Sequence, residues 1–332
     1  VMIRVKKFHM KLLKINFADF WPDFDYKEWL LYRVLSSMYE IEISDQPDYL
    51  FCSSFGYSHW KYRDCIKIYY TAENLVPDYN IFDYGISFHY LDFEDRHLRF
   101  PLWLVYAWNQ LDAMERKAVD QAYLPVKKFC NFVYSNSGWA DPIRTTFFHA
   151  LSRYKKVDSG GGYLNNIGYR VPNKLDFIKD YKFTIAIENS ASPGYTTEKL
   201  IEPMMVNSIP IYYGDPYVEK EFNVDSFVHL RSFPSMEAAI ERIIQLNEDD
   251  TLYCDMLKEQ WFKLKNVRDV YEQRLKQFFE RIFDSDIEKA QRIIPYGFAK
   301  RYRKEMRRVT PWANSFFVEK VYGIIDRFNH YI

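Results

Sequence analysis

Short apolar runs alternate with longer amphipathic segments along most of this 332-residue chain, and that rhythm limits the folds open to it. Strands are predicted at Leu12–Phe17, Tyr49–Ser53, Cys65–Tyr70, Tyr84–Phe88 and Lys128–Tyr134, with helices over Tyr26–Met38 and Asp141–Tyr154. After Gly160-Gly161-Gly162 the alternation restarts. Phe183–Ile187, Ile209–Tyr213 and Phe227–Leu230 read as strands, and Thr197–Val206 and Met236–Leu246 as helices. Strand–helix–strand crossovers build parallel sheets covered on both faces. The expectation is an α/β protein of two Rossmann-like lobes facing across a cleft. Its expected domains are 1–156, 157–284 and a tail at 285–332.

Composition narrows the function. Lys+Arg and Asp+Glu are both 45, so the net charge is zero and no nucleic-acid partner is expected. Aromatic residues make up 19% of the chain, which suits stacking on sugars or bases as well as core packing. No secretory leader is visible, and the longest apolar stretch, Phe100–Trp108, is far short of the roughly 20 residues that span a bilayer. Cys52, Cys65, Cys130 and Cys254 lie far apart with no metal spacing, which fits a reduced, cytoplasmic compartment.

The neutral total conceals an asymmetry. Residues 285–332 carry ten Lys/Arg against five Asp/Glu, leaving the rest of the chain acidic. Within that stretch, 299–308 is strongly basic and is followed by Trp312, Phe316 and Phe317, so that 299–317 forms one basic, aromatic segment. It reads either as a solvated helix face packed on the body or as a peripheral contact with an anionic membrane.

The chemistry concentrates in Phe183-Thr-Ile-Ala-Ile-Glu188-Asn189-Ser-Ala-Ser-Pro193-Gly194-Tyr195-Thr196-Thr197-Glu198-Lys199, followed by Ile209-Pro-Ile-Tyr-Tyr-Gly-Asp-Pro216. This is a strand, a polar loop, a helix N-terminus and a second strand. Ligands of open α/β sheets bind beyond the carboxyl ends of strands, with phosphates drawn to helix N-termini. Thr196 or Thr197 is the predicted cap, which places Glu198 and Lys199 in the first turn. A lysine there opposes the helix dipole, and an anionic ligand would account for it.

These residues resemble the signature of the alpha-1,3/4-fucosyltransferases, glycosyltransferase family ten. The likeness continues through Tyr70-Thr-Ala-Glu73-Asn, Leu91-Asp92-Phe93-Glu94-Asp95-Arg96, Ser135-Asn136, Pro142-Ile143-Arg144 and the glycine triplet. It implies a GT-B enzyme that moves L-fucose from GDP-β-L-fucose, with inversion, to the 3-OH or 4-OH of GlcNAc in a LacNAc- or Lewis-type oligosaccharide. Carried over by position, Arg144 and Lys199 would neutralise the diphosphate and Glu198 would hold the ribose. Asn189 and Tyr195 would line the donor pocket, and Glu188 would stand near the oxocarbenium-like sugar.

Single displacement also needs a base for the acceptor proton. Some bacterial members place a Glu immediately before Leu-Asp-Phe, where this chain has Tyr90, and a tyrosine of ordinary acidity is a poor base at neutral pH. Glu73, after a predicted strand, is the expected base. Tyr90, Asp92 and Glu94 are further acceptor-side candidates. Asp23-Phe24-Asp25 and Asp284-Ser285-Asp286 fit a D-x-D pattern but lie away from the donor segment, so no cofactor and no essential metal is expected. Two alternatives stay open: a transferase of this fold using another GDP-sugar, or a glycan-binding module without turnover.

Overall fold

A computed structural model describes residues 10–117, 127–135, 138 and 140–313. Trp312, Phe316, Phe317 and Asn136 from the motifs above lie outside the residues whose side chains are described. Two compact units emerge, each with its own parallel sheet.

The first unit takes the described parts of Val1–Ser87, Leu91–Arg99 and Glu272–Ile332. Its strands are β1 (Leu12–Ala18), β2 (Glu40–Ile43), β3 (Tyr49–Cys52), β4 (Ile66–Tyr70), β5 (Tyr84–Ser87) and β6 (His97–Arg99), in the order β2-β1-β3-β4-β5-β6. Every described pairing is parallel. β3, β4 and β5 are buried along their whole length, as central strands covered on both faces must be. Between β1 and β2 runs helix α1 (Leu30–Met38), which buries Leu30, Leu31, Val34 and Leu35 at helical spacing. Each such side chain contributes roughly 1.5–3 kcal/mol of transfer free energy.

The second unit comprises Phe88–Tyr90 and Phe100–Tyr271. It opens with the short helices α2 (Leu102–Ala107) and α3 (Leu111–Arg116). Then follow β7 (Lys128–Phe132), α4 (Ile143–Ser152), β8 (Val157–Ser159), α5 (Lys174–Ile178), β9 (Tyr181–Ile187), α6 (Glu198–Met205), β10 (Ile209–Tyr213) and β11 (Val228–His229). Helices α7 (Met236–Glu248) and α8 (Asp250–Lys258) close it, and α9 (Val267–Phe283) runs on into the first unit. The sheet order is β11-β10-β9-β7-β8, again parallel throughout the described pairings. Counted from each unit's first strand, both sheets begin 2-1-3-4-5. The direction of strand addition therefore reverses between β1 and β3 in one, and between β7 and β9 in the other.

Two expected boundaries move. The division at 156/157 falls inside the second sheet, because β7 pairs with both β8 and β9. The glycine triplet after which the alternation restarts lies in the loop leaving β8, within the second unit. Nor do the described residues after 284 stand apart as a tail. Helix α10 (Ile287–Ala290) and the start of α11 (Gly297–Ala313) belong to the first unit. There the buried Asp83 accepts hydrogen bonds from the backbone N–H groups of Arg292 (2.8 Å) and Ile293 (2.9 Å), while the Tyr84 hydroxyl donates to Ala290 O at 2.7 Å. Among the described residues no helix is long and apolar enough to cross a membrane.

Candidate active site

The loop after β9 is where sequence and geometry meet. Glu188 is wholly buried, and its carboxylate accepts from Thr197 N (2.8 Å) and from the Thr197 hydroxyl at Oε1 (3.0 Å) and Oε2 (2.8 Å). That clamp fixes the start of α6. Thr197 is the N-cap, its Oγ1 accepting from Lys199 N, as one of the two sequence alternatives had it. Gly194 supplies the turn, with φ +83° and a position where a Cβ would lie 2.4 Å from Phe88 O.

Lys199 sits between two carboxylates, Nζ being 2.9 Å from Glu198 Oε1 and 3.4 Å from Glu188 Oε2. Burial opposes its charge, but Glu188 and Glu198 outweigh that and hold the ammonium above the ordinary lysine range. Burial pushes the Glu188 carboxyl up against the pull of Lys199. For Glu198 burial is the larger single influence, yet contacts to Lys199 bring the carboxyl below its usual value. The dipole penalty on Lys199 is thus met within the protein, by carboxylates.

Arg144 is different. It lies in the first turn of α4, where the Asp141 carboxylate accepts from Ile143 N at 3.0 Å. The side chain is 2% exposed. Nη2 donates to Ile187 O (2.8 Å) and Asn189 Oδ1 (2.7 Å), and the guanidinium lies 4.1 Å from the centroid of the Tyr134 ring. No ion pair among the described residues involves it, and its buried Nε has no hydrogen-bond partner there. A buried guanidinium without an anion is costly, and a bound anion would supply the missing partner.

Arg144, Asn189, Glu198 and Lys199 line one cavity of about 440 Å³ at the carboxyl ends of β7, β8 and β9. The structure thus brings together these four residues, which the sequence had singled out in two separate segments. Glu188 and Tyr195, expected in the same wall, are not part of it. Glu188 is turned inward to hold Thr197 and Lys199, and Tyr195 is buried with its ring 5.2 Å from that of Phe88. The wall also contains Tyr134, Gly161, Arg170 and Lys174, which sequence reasoning missed. Lys174 forms an ion pair with Glu202 at 2.5 Å. Tyr134 is pinned through its hydroxyl, which donates to Ile185 O (3.0 Å) and accepts from Ile187 N (2.7 Å). The one signal for it was the glycine triplet: a Cβ on Gly161 would stand 2.0 Å from Tyr134 O.

Comparison with known proteins then decides the family. The model described as "Alpha-(1,3)-fucosyltransferase FucT N-terminal domain" matches residues 15–106, and "Glycosyltransferase family 10 (fucosyltransferase) C-term" matches 124–288. The chain belongs to glycosyltransferase family 10. Its relatives include the alpha-(1,3)-fucosyltransferase FucT of Helicobacter pylori, 33% identical over a 319-residue alignment that covers 82% of this chain and 66% of that one. Alpha-(1,3)-fucosyltransferase B of Drosophila melanogaster is 40% identical over 92 residues, 27% of this chain and 20% of the relative. The chain therefore spans less than two thirds of these relatives' lengths. A crystal structure of an alpha1,3-fucosyltransferase with GDP-fucose superposes with a TM-score of 0.73 at 30% identity, covering 86% of this chain and 94% of that one. The family ten fold is accordingly the two-sheet GT-B class expected from sequence.

The acceptor-side candidates divide between the units of this family ten chain. Glu73 is exposed in the loop after β4, its backbone N–H donating to Thr71 Oγ1 at 3.0 Å. Asp92 and Glu94 are exposed before β6, Glu94 with φ +49°. Tyr90 falls in the second unit, with Lys220 Nζ 4.4 Å from its ring centroid. His97 is structural: one ring nitrogen meets Ser87 Oγ at 3.0 Å and the other Leu91 O at 2.9 Å. The D-x-D residues lie in the first unit. Asp25 accepts from Lys27 N, Asp284 from the Tyr39 hydroxyl, and Asp286 pairs with Lys289.

Proposed function

We propose that this chain transfers L-fucose from GDP-β-L-fucose to the 3-OH, or the 4-OH, of a GlcNAc residue in a LacNAc- or Lewis-type oligosaccharide, with inversion. The observation that carries the reading is Arg144, a buried guanidinium with no anionic partner among the described residues, facing a cavity it shares with Lys199. In this reading the two cations receive the diphosphate and stabilise the charge that develops on GDP as the sugar C1–O bond breaks. Glu198, in the same wall, holds the ribose hydroxyls, and Asn189 keeps the guanidinium in plane. Glu73 takes the proton of the attacking hydroxyl while the new C1–O bond forms. Fixed cations do the work that a divalent ion does in D-x-D enzymes, so turnover needs no added metal.

Incubation with GDP-fucose and a panel of type 1, type 2 and simple GlcNAc or glucose acceptors tests this, with product linkage assigned by NMR. Fucosylated GlcNAc, formed equally well in EDTA, is the expected product. Transfer only from another GDP-sugar would support the first alternative. Acceptor and GDP binding without transfer would support the glycan-binding module, which the replacement of the bacterial Glu by Tyr90 favours. For location, the reading is a cytoplasmic enzyme with peripheral membrane contact through 299–317.

A further inference from the structure

Nucleotides bind α/β sheets of this order where the strand sequence reverses. In the second unit that point, between β7 and β9, opens into the Arg144–Lys199 cavity. The first unit has the same reversal between β1 and β3, where Ala18 is the partner of Cys52. Two chain ends leave the sheet there, and what they carry is aromatic. Phe55 is 47% exposed, and the half-buried Trp21 meets it edge to face at 6.3 Å.

This corner is built to hold its shape. Asp19, with φ +63°, points its carboxylate at the loop after β3. It accepts from Ser58 N and Oγ (both 2.6 Å), His59 N (3.0 Å) and His59 Nδ1 (2.5 Å), while its carbonyl accepts from Phe55 N at 2.8 Å. A Cβ on Gly56 would press to 2.8 Å from Asp19 Oδ1. Behind the exposed ring, Trp21 is braced by Phe20 (5.6 Å) and Phe24 (4.8 Å). The corner is also tied to the candidate base. Ser54 Oγ and Thr71 Oγ1 are 3.1 Å apart, and Thr71 Oγ1 accepts from Glu73 N. Nothing in the donor chemistry uses Trp21 or Phe55.

We propose that Trp21 and Phe55 form a stacking platform for a pyranose ring of the acceptor glycan, next to the residue that receives its hydroxyl proton. The proposal rests on the transferase reading with Glu73 as base. The exposed Phe55 ring, its loop set in place by Asp19 and with Trp21 standing edge to face against it at 80°, offers an apolar aromatic face to the axial C–H groups of a sugar at little conformational cost. Hydroxyls at the sugar's rim then meet polar neighbours, of which Ser54 is one.

The test uses N-acetyllactosamine as probe and reads binding apart from turnover. Saturation-transfer NMR and initial rates with GDP-fucose are measured for wild type, Phe55→Ser and Phe55→Tyr. The platform predicts about a tenfold rise in acceptor KM for Phe55→Ser, the scale of one lost stacking contact. The KM for GDP-fucose stays within twofold, the NMR transfer signal falls, and Phe55→Tyr restores both. An acceptor KM and NMR signal within twofold of wild type in Phe55→Ser overturn it. A wild type that binds N-acetyllactosamine but transfers no fucose defeats the transferase reading, and the NMR comparison then decides the platform by itself.

Discussion

The two cations of the cavity differ in what surrounds them, and so their removal should differ. Arg144 has no carboxylate partner among the described residues, whereas Lys199 balances the wholly buried Glu188. Arg144→Ala therefore takes away charge stabilisation without stranding an anion. It should lower kcat by about 10²-fold or more while leaving the thermal midpoint close to wild type. Lys199→Ala should lose as much activity but also cost about 3–5 kcal/mol in urea unfolding, because Glu188 is left buried and unmatched. Adding Glu188→Gln to Lys199→Ala should recover a large part of that stability and none of the rate. Undiminished turnover in Arg144→Ala would remove the diphosphate assignment. At this scale the sequence was informative only locally. Asn189, Glu198 and Lys199 lie in one contiguous motif, and Arg144 stands in a short block that resembles the family. Tyr134 comes from just beyond the end of β7, Arg170 from the loop after β8 and Lys174 from the start of α5, and they enter the wall only when the sheet is assembled. Glu188 failed as a wall residue because a motif gives spacing, and spacing does not say which way a side chain turns.

Among the elements, the loop held by Asp19 gives the clearest prediction. Burial alone would raise this carboxyl, but hydrogen bonds from His59 and Ser58 carry it below the ordinary aspartate value. The unfolded chain binds that proton more tightly than the folded one. The stabilisation is then fully present above the ordinary aspartate pKa, about 3.9, and lost as pH falls through the lower folded value. Asp19→Asn should cost about 1–3 kcal/mol at pH 7, since an amide cannot accept from all of these donors. Urea melts at pH 7 and pH 3 should show the gap between wild type and variant narrowing in acid; a constant gap would mean the carboxylate's charge contributes nothing. The strands flanking this loop were legible because they are apolar and buried on both faces. β2 was not, since Glu40-Ile-Glu-Ile43 is short, exposed and at the sheet edge, and β8 is only three residues long. Edge pairing depends on a neighbour, which no local pattern announces.

Taken whole, the chain repeats one strand order in two sheets without a detectable sequence repeat, because the order depends on which strands pair and not on which residues recur. The charge asymmetry belongs to this scale too. The described part of the basic stretch is tied to the first unit: Arg303 donates to Asn80 O and Ile294 O, and the Tyr302 hydroxyl to Asp78 Oδ2 at 2.8 Å. Half-buried Ala299, Arg303, Met306 and Thr310 recur at helical spacing on one side of α11. Lys300, Arg301, Lys304, Arg307 and Arg308 are exposed, with Phe298 85% exposed at the helix start. Removing everything after 284 would also strip Asp83 of two backbone donors, so loss of vesicle binding in that truncation would be confounded with damage to the first unit. Charge reversal on the exposed face avoids this. Lys300→Glu, Lys304→Glu, Arg307→Glu and Arg308→Glu together should leave the thermal midpoint near that of wild type. They should abolish co-sedimentation with phosphatidylserine vesicles, since each cation near such a surface contributes about 1 kcal/mol. Pelleting equal to wild type at physiological salt would assign the basic face to solvent.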